Sequence, residues 1–126
     1  MANNLVTLRT FKENMINFFD ELIGQFPNEG DFVVMRIFLK DQVPIVDIMH
    51  FCCHRLLPLK HKIKERDDAV FLDNDALFEK VSKEKVIHFK RLWRSNHLAR
   101  EDREVIWSWL DLFIKLMEKY QKSLVV

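Results

Sequence analysis

With 126 residues, 48% of them hydrophobic and 31% charged, the chain has the apolar surface to fold as one domain around one core, which excludes an intrinsically disordered protein. Its 20 basic and 19 acidic side chains leave a net charge of +1, so no global field draws it to phosphate or to an anionic membrane. Only two glycines and three prolines are present, which argues against a many-turned sandwich or barrel and excludes phosphate-cradling and dinucleotide-binding glycine loops.

The opening MANNLVTLRTFKEN lacks the basic, apolar and small-residue succession of a secretory signal. No apolar stretch approaches the roughly 20 residues that span a bilayer. Cys52 and Cys53 are the only cysteines, and adjacent residues are poorly placed for an ordinary structural disulfide. Reduced thiols in a cytosolic or nuclear compartment are therefore expected.

From Leu8 the apolar positions Leu8, Phe11, Met15, Phe18, Phe19, Leu22 and Phe26 step by three and four, the spacing of one helix face. Gly24 weakens the last turn and Pro27 cannot continue it. The next stretch, DFVVMRIFL over 31–39, is apolar nearly throughout, so periodicity alone does not separate helix from strand. Asp31 as N-cap, the helical surroundings and the absence of a second strand-like run to pair with favour a helix. Pro44 suits the first turn of a third helix with Ile45, Ile48, Met49, Cys52 and Leu56 inward, and Pro58 kinks or ends it. Lys60, Lys62 and Lys64 then read as a solvated basic turn, and 68–75 as an irregular connection held down by Phe71 and Leu72.

Ser82 is a candidate cap for a helix carrying Val86, Phe89 and Trp93 inward, with Asn96 suited to its end. The clearest helix comes last. Ile106, Trp109, Leu110, Phe113, Leu116, Met117 and Tyr120 make its inward stripe, with burial of Trp109 and Phe113 expected, and Glu101 and Asp102 lie near its positive end. The sum is all-α: a single compact bundle of about five helices with short loops over residues 1–126.

Three groups of residues invite a functional reading. Asp47, His50 and His54 share one side of the third helix, with His61 as a further ligand if the kink at Pro58 is mild, and imidazoles one turn apart can hold zinc. The surroundings lack Cys-x-x-Cys pairs, glycine turns and a glutamate between the histidines, so exposed histidines are the simpler account and no cofactor is expected. Cys53 and His54 diverge by about 100° on a helix and do not form a nucleophile–base pair. With no catalytic constellation in the sequence, the protein is expected not to be an enzyme.

The second group is basic: Lys83, Lys85, Lys90, Arg91, Arg94, Arg100 and Arg103, around Phe89 and Trp93. This suggests nucleic-acid contact. Glu84, Glu101, Asp102 and Glu104 interrupt it, and both aromatics are claimed by the core stripe. The third group is Trp107 and Ile114, on one flank of the last helix, about 80–100° from the centre of its stripe. Such an edge either widens the core or offers an apolar patch to a partner. A protein partner is expected there, self-association being compatible with it.

The runs Phe18-Phe19-Asp20-Glu21-Leu22-Ile23, Phe26-Pro27-Asn28-Glu29, Ile63-Lys64-Glu65-Arg66-Asp67, Phe71-Leu72 and Ile106-Trp107-Ser108-Trp109-Leu110 resemble a group of small helical proteins encoded by large double-stranded DNA viruses of algae and protists. The likeness extends from about Phe11 to Met117 and carries no catalytic motif. It implies an all-helical fold, synthesis in host cytoplasm or nucleus, and packaging in the virion. Together with the apolar flank, it points to a non-enzymatic interaction module, virion-associated or a minor structural component, with nucleic-acid association through 83–103 as the alternative.

Overall fold

A computed structural model describes residues 2–73, 83–95 and 100–124. Among the described residues every regular element is helical and none is a strand, so the expected all-α class is the observed one. Five helices have eight or more residues among those described. They are α1 (Ala2–Gln25), α2 (Gly30–Ile37), α3 (Ile45–Leu56), α6 (Lys83–Arg94) and α7 (Arg100–Leu124), with short turns α4 (Lys60–Lys64) and α5 (Ala69–Leu72) between α3 and α6. The Ser82 cap and the Asn96 terminus fall outside the described residues, as does the end of the 68–75 connection.

Backbone proximity groups the chain into two units, residues 1–53 with 115–126, and residues 54–114. In the first, α1 begins at Ala2, earlier than its apolar pattern suggests, and stops where Pro27 follows Phe26. Phe11 and Leu22 are buried along it. The chain reverses, and α2 packs back on α1 through the tilted rings of Phe26 and Phe32 and an ion pair from Arg36 to Asp20. The stretch that periodicity left ambiguous is thus a helix. Asp31 does not cap it: α2 begins two residues sooner than that cap would place it, at Gly30 with Glu29 at the cap position and no side-chain cap, and Asp31 lies within the first turn near the positive end of the helix. A π-helical turn, Phe38–Gln42, continues α2 and closes with Val43 N–H donating to the Phe38 carbonyl at 2.9 Å. It turns Leu39 inward and buries it. On α3, Met49, Cys52 and Cys53 are buried, while Ile45, Ile48 and Leu56 are half-buried.

In the second unit Pro58 ends α3 in a 3-10 turn, Leu57–Leu59, and the basic segment that follows is the short helix α4, which keeps Lys60, Lys62 and Lys64 exposed and buries Ile63. Arg66 closes α4. Asp67 N–H donates to the Lys62 carbonyl and Arg66 N–H to the Ile63 carbonyl, the bond pair of a helix ending that needs a left-handed residue. Arg66 takes that conformation at φ 57°, where glycine is the usual choice. The 68–75 region also gains structure: Asp67 accepts from Ala69 N–H at 2.9 Å and starts α5, which buries Val70 and Phe71.

Phe71, Trp93 and Trp107 form the aromatic centre of this unit, with ring centroids 4.5 Å apart for Phe71–Trp93, 5.1 Å for Phe71–Trp107 and 5.6 Å for Trp93–Trp107. Phe89 joins the edge of Phe71 at 5.7 Å. Indole nitrogen is costly to bury without a partner, and Trp93 Nε1 donates to Asp68 at 3.0 Å. Two guanidinium groups cap the cluster, Arg66 over Trp107 and Arg103 over Trp93.

Candidate interaction surfaces

The flank of α7 expected to meet a partner is not a surface. Trp107 is 2% exposed and Ile114 5% exposed. At about 100° per residue the α7 positions buried in the second unit, from Phe113 through Ile106 to Trp107, cover an arc of about 120°. Trp107 and Ile114 lie within that buried arc, and Trp107 belongs to the core of its unit beneath Phe71 and Trp93. Trp109, expected inside, is only half-buried at the opposite edge and stacks on the buried Phe113 at 5.9 Å.

Exposed apolar surface lies instead on α2. No residue of this helix is buried, although it reads GDFVVMRI. Phe32 and Arg36 turn toward α1. Val33, Val34, Ile37 and the following Phe38 fall on the other side, 43, 46, 48 and 52% exposed. Their spacing, i, i+1, i+4, i+5, lays them side by side over two turns. Periodicity alone leaves this apolar run open between helix and strand; the signal for a surface is an eight-residue helix with more apolar positions than one inward face can use.

The basic residues do not form one surface. Lys83, Ile87, Lys90, Arg91 and Arg94 lie along one stripe of α6, on the side turned from Val86, Phe89 and Trp93. Arg103 is half-buried against the core: it donates to the Trp93 carbonyl at 2.7 Å and covers the indole. Arg100 is exposed at the start of α7, and the side chain of Lys85 lies outside the described set. Trp93 is 2% exposed, removing it as a platform for base stacking.

Asp47, His50 and His54 are not assembled as a ligand set. Among the described residues no group of three or more His, Cys, Asp or Glu is placed to hold a metal ion. His50 Nε2 instead meets the Tyr120 hydroxyl at 3.0 Å, the rings lying 5.8 Å apart. The cysteines are free and buried. Burial, with a smaller contribution from Cys53, pushes the Cys52 thiol up to about 12, and burial raises Cys53 as well. Both are protonated at neutral pH, the opposite of an activated nucleophile. No helix among the described residues is long and apolar enough to cross a membrane.

No family model, curated protein or solved structure matches this chain.

Proposed function

We propose that this chain is a non-enzymatic helical interaction module whose contact face is the outward side of α2. The observation that carries this is the set Val33, Val34, Ile37 and Phe38, held toward solvent while the other side of the same helix is fixed to α1. Apolar side chains in contiguous exposure favour burial against another surface, by about 25 cal/mol per Å² removed from water. Two short rows of branched and aromatic residues suit a partner helix that lays its own apolar stripe between them. The protonated, buried thiols of Cys52 and Cys53 support the non-enzymatic part.

A photo-crosslinker at Val34, introduced in the cell that makes the protein, tests the reading. One partner should be captured there, should bind again as a purified component, and should be lost on Ile37→Asp with the helical circular dichroism unchanged. Absence of any adduct, or adducts equally frequent from Glu118 on α7, would remove α2 as the contact face.

The resemblance to small helical proteins of large double-stranded DNA viruses extends the proposal to a minor virion-associated component made in host cytoplasm or nucleus. Mass spectrometry of purified particles beside infected-cell lysate separates a packaged protein from an intracellular factor.

A further inference from the structure

We infer that the outward stripe of α6 is a docking site for an acidic protein segment with an apolar anchor, independent of the α2 face. Lys83, Ile87, Lys90, Arg91 and Arg94 fall within an arc of about 100° on a twelve-residue helix. Lys83, Arg91 and Arg94 are exposed, and Ile87, in the middle of them, is 55% exposed. Ile87, Lys90, Arg91, Arg94 and Ser95 line a shallow depression at the end of α6. The helix keeps this surface in register because its other side is fixed: Trp93 is buried between Phe71 and Trp107 and hydrogen-bonded to Asp68, and Arg103 donates to the Trp93 carbonyl.

Chemistry selects the partner. Four cations within about three turns, on a protein whose net charge is only +1, form a local field that complements carboxylates or phosphates alike. The two differ at the centre of the stripe. A nucleic-acid backbone presents charge without an apolar group to meet Ile87, and the aromatics that would stack on bases are turned into the core. An acidic peptide supplies both, with carboxylates over Lys83, Arg91 and Arg94 and a leucine or phenylalanine over Ile87. Glu84, exposed at the edge of the stripe, sets its boundary and opposes the incoming charge.

The purified full chain is titrated with a fluorescent peptide of glutamates around one central leucine, the same peptide with serine at the centre, and a single-stranded DNA oligonucleotide. Saturable binding of the leucine peptide is expected near physiological salt. It should weaken about tenfold, ~1.4 kcal/mol, with the serine peptide or with Ile87→Ser, and be lost with Arg91→Glu plus Arg94→Glu. Circular dichroism should be unchanged, since these side chains are exposed. Glu84→Gln should tighten binding, a gain that misfolding cannot produce. Failure of the leucine peptide to saturate would overturn the proposal. So would equal affinity for both peptides, or displacement by the oligonucleotide at lower concentration with Ile87→Ser without effect, which would assign the stripe to phosphate.

Discussion

Arg66 reaches Asp111 with two guanidinium nitrogens, at 2.8 and 3.0 Å, from the one non-glycine residue with positive φ among those described. The backbone strain and the ion pair belong together. A glycine at the end of α4 would be relaxed but could not tie that turn to α7, whereas arginine accepts the left-handed conformation and makes the tie. The hydrogen bond to Asp111 raises the guanidinium pKa further, against the opposing effect of its partial burial, so the arginine keeps its charge.

Substitutions at 66 should separate these contributions. Arg66→Ala keeps strain of about 1 kcal/mol and loses the pair, and should destabilise the protein by about 1–2 kcal/mol. Arg66→Gly loses the pair but releases the strain, and should remain within about 1 kcal/mol of wild type. Asp111 is 42% exposed, so water already screens part of the attraction. Urea denaturation in which Arg66→Gly falls well below Arg66→Ala would refute the compensation.

Trp107→Ala should cost about 3–5 kcal/mol, because it opens a cavity against Phe71 and Trp93. Trp109→Ala should cost clearly less, since that ring is half in water and can be replaced partly by solvent. Changing Trp107 and Ile114 together to serine should unfold the domain rather than abolish a contact. Paired thermal melts decide this order.

On α2 the two sides of one short helix should respond oppositely. Phe32→Ala removes the ring that meets Phe26 and should lower stability by about 1–3 kcal/mol, below the full core value because Phe32 is only half-buried. Val34→Asp, on the outward side, should leave the isolated protein within about 0.5 kcal/mol of wild type. A collapse of stability on Val34→Asp would mean that this face is covered within the chain itself.

Alkaline pH should weaken the fold through Cys52. Folded, its thiol keeps the proton to about pH 12; exposed, it releases it from its ordinary value of 9.0. Between these the unfolded chain binds fewer protons, so stability falls as pH rises, by up to about 1.4 kcal/mol per pH unit, and is level below pH 9 as far as this group is concerned. Melting temperatures from pH 8 to 10.5 should slope less in Cys52→Ala than in wild type. Equal slopes would show that Cys52 is not held protonated.

Much of the fold was legible in the residues. Pro27 and Pro58 mark the ends of the first and third helices because proline lacks the N–H that a helix interior requires. The three-and-four spacing from Ile106 to Tyr120 marked α7, and most of its stripe is buried. The candidate surfaces were less legible. Spacing ranks the positions around a helix but does not say how many neighbours pack on it, which is why Trp107 and Trp109 exchange roles. The basic run likewise divides, since Arg103 is drawn onto Trp93 while Lys83, Arg91 and Arg94 stay exposed.

What the sequence by itself determined was the helical class, through local effects: few turn formers, apolar periodicity near 3.6, and breakers at the right places. The tertiary structure decided which apolar residues are core and which are surface, and it made a left-handed arginine tolerable. Those outcomes depend on contacts between segments far apart in the chain, such as Arg66 with Asp111 or Phe71 with Trp107. Their energies enter only after the chain has closed the loops that bring them together, so no local pattern around Arg66 or Trp107 encodes them.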